Sequence, residues 1–208
     1  MIILRCYYYG PMSSASLSTW ASARTDRIKR LRAAHQALAG TGPGRRWVTE
    51  ELNHALILRL ASEFQGFARD LHDETGVFVA RCLAPGNLQL QDVLLLPYAV
   101  NRKLNQGNAD PGTLGNDFSM FGIVLWMALQ ARYQTRAKEW NQKLAALNMA
   151  RNGIVHDDGA KVARVQADGW PLTLQSVDRW KSALDGLTQG MDRVVGGHLK
   201  LAYGAPPW

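Results

Sequence analysis

The sequence has few cysteines and no long apolar run. Cys6 and Cys82, the two cysteines among 208 residues, lie far apart and form neither a C-x-x-C motif nor a metal-ligand spacing. So low a cysteine content is typical of a protein in a reducing cytoplasm. Because no run of about 18 apolar residues occurs, we expect neither a membrane span nor a membrane partner.

Several common enzyme motifs are missing as well. The chain contains no glycine-rich phosphate-binding loop, no H-E-x-x-H zinc motif and no G-x-S-x-G nucleophile elbow. These absences argue against the nucleotide hydrolases, metalloproteases and serine hydrolases that those motifs identify. No strong cluster of metal ligands is visible, so we expect no metal and no cofactor.

The composition predicts one folded domain. Apolar residues make up 47% of the chain, charged residues 20%, and seven tryptophans are present. We place the domain at residues 16–200, with a flexible segment at 1–15 and a loose tail at 201–208. Met12 is an alternative start, which would make residues 1–11 an upstream extension.

Apolar residues recur at helical spacing in segments that loops rich in glycine or proline separate. Weak alternation around Ala167-Asp168-Gly169 predicts a small β-hairpin over residues 161–174. The fold class is therefore all-α, a bundle of about five helices with this hairpin before the last one. The helical segments span residues 16–39, 49–82, 91–105, 116–133, 135–156 and 177–197.

Two charged residues interrupt apolar stripes. Trp140, Leu144 and Leu147 follow one another at steps of four and three, and the next step lands on Arg151. In the second helix Leu56 and Leu60 are four residues apart, and the next step of three lands on Glu63. Because a buried charge is costly unless it is paired, we expect Glu63 and Arg151 to form an ion pair. The alternative is that each aliphatic stem packs while its charged end reaches water.

Arg151 also begins a short motif. It is followed by Asn152 and, after four intervening residues, by His156. This segment resembles the motif of the HEPN family, in which an arginine, often followed by a polar residue, precedes a histidine by four to six residues. The position near the end of a late helix is similar too, and the resemblance covers about residues 49–198.

The same spacing occurs twice more, from Arg30 to His35 and from Arg193 to His198. The context distinguishes the copy at residues 151–156. That copy alone carries the asparagine, interrupts an apolar stripe and is followed by two aspartates.

The resemblance implies a metal-independent ribonuclease, in which a ribose 2′-OH attacks the adjacent phosphorus. His156 would be the general base, because histidine has an ordinary pKa of about 6.5. Arg151 would bind phosphate and stabilise the transition state, since a guanidinium matches phosphate oxygens. Asn152 would position the substrate, and Glu63 would hold Arg151 from behind.

The resemblance also implies a homodimer. On a straight helix Arg151 and His156 lie about 140° apart, so they converge poorly. Either the long arginine side chain bends round the helix, or a second copy completes the site. HEPN domains are generally described as dimers with facing motifs, so we expect an interface that includes residues 140–156.

The net charge of +7, from 24 basic and 17 acidic residues, favours contact with RNA. We consider four arginines as weaker RNA-binding candidates, although a solvated surface is the alternative for them. They are Arg24, Arg27, Arg30 and Arg69.

The predicted activity is RNA cleavage by a toxin or phage-defence effector, with a cognate antitoxin protein as a further partner. One alternative is a non-catalytic HEPN-like module that binds RNA, a nucleotide or a protein. Another is a helical interaction protein with no role in nucleic-acid binding.

Overall fold

A computed structural model describes residues 13–38 and 46–208. Within these ranges the chain forms eight helices and no β-strand. The all-α prediction is confirmed, whereas the count of five helices and the β-hairpin are wrong. Most of the predicted flexible segment at residues 1–15 lies outside the described residues.

The helices follow one another with short connections. The first helix, α1, consists of Ala15–Thr19, a π-helical turn at Trp20–Arg24, and Thr25–Leu38. The others are α2 (Arg46–Leu83), α3 (Leu88–Val100), α4 (Pro111–Ser119), α5 (Leu125–Tyr133), α6 (Thr135–Val155), α7 (Gly159–Ala167) and α8 (Leu174–Tyr203). Within these ranges no helix is both long and apolar enough to cross a bilayer.

Helix α2 is the centre of the fold. It packs against α1, α3, α6 and α8. The apolar spacing predicts a stripe that begins at Leu52, which is partly buried, and the five large side chains that follow it are at most 1% exposed. Burying each of them contributes about 1.5–3 kcal/mol, so this stripe is the main anchor of the bundle. The five residues are Leu56, Leu60, Phe64, Phe67 and Leu71.

The segment expected to form a β-hairpin forms α7 instead. The Asp158 side chain accepts the backbone N–H of Lys161 at 3.0 Å and caps this helix. Val162 and Val165, three residues apart, pack on the core from one helical face. The apolar and polar residues of this segment, which suggested two strands, also fit a short amphipathic helix.

The apolar segment at residues 116–133 forms two helices, not one. Helix α4 begins earlier than expected, with Asp110 as its cap. Gly122, with φ of 75°, then reverses the chain before α5 begins. The left-handed conformation at this glycine separates two helices that apolar periodicity alone would join.

The C-terminal helix is longer than expected. It passes through Gly196 and Gly197 and ends before Gly204, whose φ is 73°. Trp208 packs on α8, close enough that a Cβ added at Gly196 would lie 3.2 Å from the indole nitrogen. Trp208 thus packs against the core.

Helix α3 carries apolar residues on both sides. Leu95 and Tyr98 pack near Gly76 of α2. The opposite side exposes four apolar side chains, which we call the α3 stripe. Helices that are apolar all round are usually covered, so this stripe is an unusual surface. Its residues, 44–70% exposed, are Leu90, Val93, Leu96 and Val100.

Candidate functional site

The motif at residues 151–156 lies at the carboxyl end of α6. Gly153 is buried there, and a Cβ at this position would come within 2.9 Å of a Val162 methyl group. The glycine therefore lets α7 pack closely against the end of α6. The helix ends at Val155, and the His156 N–H donates to the Asn152 carbonyl at 3.1 Å.

This early helix end changes the geometry expected from the sequence. His156 has φ of −101° and ψ of 8°, outside the helical conformation. Asp157 follows with φ of 49°, so the chain turns immediately after the histidine. The angle of about 140° assumed a straight helix through both residues, and α6 does not continue that far.

Three side chains of the motif line one cavity. Arg151, Asn152 and His156 border a space of about 460 Å³. The remaining wall comes from residues 105–108 and from Gln65 of α2. His156 is exposed, and Arg151 is partly buried. The structure thus brings the predicted imidazole and guanidinium to one water-accessible cavity within a single protomer.

Asn152 connects two walls of this cavity. Its Oδ1 accepts from Arg151 Nη1 at 3.0 Å and from Asn108 Nδ2 at 2.7 Å. Because a guanidinium can only donate, the atom that receives it must be the amide oxygen. The amide nitrogen of Asn152 then remains available to donate to an anion.

The wall formed by residues 105–108 is fixed to α2. Gln65 Nε2 donates to the carbonyls of Leu104 and Gly107, at 3.0 and 2.7 Å. Arg69 Nε donates to the same Leu104 carbonyl at 2.9 Å. The segment is therefore held in place before any ligand binds, which reduces the entropy that binding would cost.

Asp117 fixes the start of the same segment. Its carboxylate, 1% exposed, accepts the backbone N–H groups of Lys103 and Leu104 at 2.8 and 2.9 Å. Asp117 thus holds the chain that leads into the cavity wall. Without these two bonds the buried amide of Leu104 and the part-buried amide of Lys103 would lack these partners.

Glu63 does not pair with Arg151, so that prediction is wrong. The carboxylate is 3% exposed and accepts from Arg24 at 3.0 Å, from Arg27 at 2.6 and 2.8 Å, and from Arg59 at 3.3 Å. The expectation that its charge is buried and paired is met by different partners. Glu63 is two residues from the cavity-lining Gln65, about 200° around α2, and therefore faces α1.

The arginines also set the ionisation of Glu63. Burial raises the pKa of this carboxyl, but the hydrogen bonds and charges of Arg27 and Arg24 outweigh that effect. The pKa of Glu63 therefore lies below its ordinary value. The carboxylate stays charged and holds α1 on α2.

None of the four weaker RNA-binding candidates lines the cavity. Arg24 also donates to Asp70 at 2.6 Å, and its side chain is 14% exposed. Arg27 bonds to Glu63, and Arg69 bonds to a backbone carbonyl. Arg30 is exposed, and no ion pair involves it in the part of the chain that the structure describes.

The other two copies of the motif are structural. His35 is 5% exposed, within the core side of α1. His198 lies with Nε2 at 3.1 Å from the Phe121 carbonyl. Exposure in a cavity beside its arginine distinguishes His156 from both of them.

Sequence reasoning missed the amide side chains of this site. Gln65, Asn105, Gln106 and Asn108 all line the cavity. Three of them fall within the run Asn105-Gln106-Gly107-Asn108, which spans the end of a predicted helix and the start of the loop after it. The density of amide side chains in that run was the available signal.

A larger cavity of about 790 Å³ lies on the other side of Gly153. Four carboxylates line it, so phosphate would be repelled there. They belong to Glu50, Glu51, Asp157 and Asp158. No group of three or more histidine, cysteine, aspartate or glutamate side chains within residues 13–38 and 46–208 is arranged to hold a metal ion.

The arginine, asparagine and histidine cavity is therefore the best candidate site on chemical grounds. No known protein family matches this chain, and neither a curated protein nor a solved structure is significantly similar to it.

Proposed function

We propose that this protein is a metal-independent endoribonuclease of the HEPN type. Its active site would be the cavity lined by Arg151, Asn152 and His156. The observation that supports this is the shared cavity itself, which the exposed His156 and the partly buried Arg151 line within one protomer. An imidazole sealed in the core would have left no route for the chemistry.

The reaction needs a base, a phosphate ligand and room for a bent substrate. The His156 imidazole takes the proton of a ribose 2′-OH, and O2′ attacks the adjacent phosphorus. The bond from phosphorus to O5′ breaks, leaving a 2′,3′-cyclic phosphate and a 5′-hydroxyl. The 5′-oxygen takes its proton from the imidazolium or from water.

Arg151 and Asn152 act on the phosphate. The guanidinium donates to a non-bridging oxygen and stabilises the charge that develops as O2′ attacks. The Asn152 amide nitrogen, whose oxygen is already occupied, donates to the same group. Both donors are set before the substrate arrives, as preorganised stabilisation requires.

The proposed substrate is cellular RNA, either tRNA or mRNA. The net charge of +7 supports attraction of a polyanion to the protein. Of the four weaker candidates, Arg30 is the one the proposal keeps as a distant phosphate contact, because it is exposed. The biological role would be that of a toxin or phage-defence effector, held in check by a cognate antitoxin protein.

A homodimer also belongs to the proposal. The expected interface includes residues 140–156, and the outer face of the first half of α6, residues 135–145, is largely polar and exposed, so only the later part of that interface offers apolar contacts. The α3 stripe is apolar and exposed, and a second copy of the chain would cover it. We expect Leu96→Asp to shift a dimer to monomer in sedimentation, and Leu201→Asp, at an 89% exposed leucine elsewhere, to leave it unchanged.

Purified protein incubated with total RNA in excess EDTA tests the activity. We expect fragments ending in cyclic phosphate from the wild type, and a loss of about 100-fold or more in His156→Ala and Arg151→Ala. His54→Ala and Arg136→Ala are the matched controls, since neither residue lines the cavity. Their rates should stay near that of the wild type.

The outcomes distinguish the candidate functions. Intact RNA with unchanged gel mobility would contradict the nuclease and favour a helical interaction protein. RNA that is retarded but uncut would favour a non-catalytic module. Growth arrest on expression, relieved by either cavity substitution, would support the toxin role.

A further inference from the structure

A second, smaller cavity adjoins the candidate active site. It has a volume of about 250 Å³ and shares Gln65, Asn108 and Arg151 with the larger one. The side chains of Leu58 and Val155 supply apolar surface. Arg151 thus lines both cavities, the larger one with polar walls and the smaller one with polar and apolar walls.

The side-chain nitrogens of the amides at this second cavity all donate to protein oxygens, with both N–H groups used in Gln65 and Asn148 and one in Asn108. Asn148, 7% exposed, donates through Nδ2 to the carbonyls of Ala109 and Leu144, at 3.2 and 2.9 Å. Gln65 donates to two carbonyls, and Asn108 donates to Asn152. These partners are acceptors, so the assignment of nitrogen and oxygen in each amide is fixed.

The oxygens of the same amides accept no hydrogen bond in the parts of the chain that the structure describes. Gln65, Asn108 and Asn148 all line the small cavity, so their side-chain oxygens are acceptors that a ligand there can use. None of these three oxygens is among the buried atoms without a partner in the described residues, so solvent or a ligand can reach them. A ligand with N–H donors on one edge and an apolar face would complement these oxygens and the apolar side chains.

We infer that the smaller cavity is a nucleobase subsite, selective for a base that carries N–H donors on its edge. This inference rests on the proposed ribonuclease for its place beside a scissile phosphate. A flat ring would lie against Leu58 and Val155 while its edge donates to the amide oxygens. Single-stranded RNA is commonly read in this way, through bases that leave the stack.

The volumes of the two cavities fit a nucleotide whose base lies in the smaller cavity and whose ribose and phosphate lie in the larger one. Sites for whole small molecules occupy about 300–1,000 Å³, so a space of about 250 Å³ suits one ring system. The adjoining 460 Å³ would hold the ribose and phosphate. Because Arg151 lines both spaces, a base in one places its phosphate near the guanidinium in the other.

Counting donors predicts which base binds best. Guanine offers a ring N–H and an adjacent amino group, adenine and cytosine offer one amino group each, and uracil offers one ring N–H between two carbonyls. Carbonyl oxygens of uracil would face the amide oxygens of the protein, which is repulsive. We therefore expect guanine to bind most tightly and uracil most weakly, as donor-matched sites discriminate.

Calorimetric titration with guanosine 3′-monophosphate and uridine 3′-monophosphate tests the subsite directly. We expect the wild type to bind the guanosine nucleotide about tenfold more tightly. Val155→Phe, at a side chain that is 47% exposed, would fill the cavity and remove the preference. Val93→Phe, at an exposed valine of α3, is the matched control and should keep it.

The results separate this inference from the proposed function. Equal affinity for both nucleotides, with RNA still cleaved by the wild type, would overturn the subsite and leave the nuclease standing. Selective binding without RNA cleavage would support the subsite and overturn the nuclease. Preference that persists in Val155→Phe, with unchanged thermal unfolding, would overturn the placement in this cavity.

Discussion

Arg151 Nη1 donates to Oδ1 of its neighbour Asn152 at 3.0 Å. Adjacent residues on a helix point about 100° apart, so this contact depends on the reach of the arginine side chain. The same oxygen also receives Asn108 from the opposite wall. These two bonds occupy the oxygen of the Asn152 amide, so its nitrogen faces the cavity side without a partner among the described residues. The Asn152 nitrogen and the Arg151 guanidinium are then the two donors of the motif.

Asn152→Asp should reduce RNA cleavage more than Asn152→Ala. The aspartate replaces the free donor with an acceptor and adds a negative charge beside the phosphate. We expect kcat/KM to fall by a further factor of about 10, the loss of one charge-assisted hydrogen bond. Asn116→Asp, at an exposed position of α4, adds the same charge elsewhere. Equal losses in the two Asn152 variants would argue against a donor role.

Glu63→Ala should destabilise the fold. Removing this buried carboxylate leaves Arg24 and Arg27 without their shared partner, which typically costs about 3–5 kcal/mol. Urea unfolding would measure the change. Glu139→Ala, which breaks an exposed pair with Lys143, should cost less than about 0.5 kcal/mol. A small effect at Glu63 would mean that water replaces the carboxylate.

Gly153→Ala should destabilise the end of α6. The new Cβ would lie 2.9 Å from a Val162 methyl group and 3.3 Å from the Val162 nitrogen, so α7 must shift. We expect a cost of about 1–3 kcal/mol in thermal unfolding, together with reduced RNA cleavage. Gly159→Ala meets nothing within 4 Å and should stabilise by about 0.4–1 kcal/mol. Similar effects at both glycines would contradict close packing at Gly153.

Stability should fall as the pH drops below about 6.5, because of His72. This residue is fully buried among Tyr98, Phe118 and Phe121, and burial lowers its pKa to about 4. Below about pH 6.5 the unfolded chain binds a proton at His72, whereas the folded protein does not bind it until about pH 4. The free energy of unfolding therefore decreases as the pH falls through this window.

We expect a loss of about 2 kcal/mol between pH 7 and pH 5, measured by urea unfolding. His72→Leu should be nearly insensitive to pH over this range. The lowered pKa of Glu63 stabilises the fold at neutral pH, and this stability is lost only as the pH falls below the ordinary pKa of a glutamate. Glu63 therefore adds little to the change between pH 7 and pH 5. The same slope in His72→Leu and in the wild type would assign the effect to other groups.

The helical class and the main stripes could be predicted from the sequence. The spacing of apolar residues was enough to identify the buried faces of α2 and α8, because apolar residues at every third or fourth position fit a helix and not a strand. The same reasoning failed for α7, where nine residues fitted both a strand pattern and a helical one. It also joined α4 to α5, since periodicity does not detect a left-handed glycine between two helices.

The sequence by itself determined that Arg151, Asn152 and His156 lie near a helix end, whereas the structure shows that α6 ends at Val155 and that all three side chains line one cavity. It also determined that Glu63 is buried, from its place in an apolar stripe. Only the tertiary structure decided that Glu63 pairs with α1, and that the segment at residues 105–108 forms the opposite wall. The physical reason is that periodicity reveals which face of a helix is buried, whereas the identity of the neighbour depends on packing between distant parts of the chain.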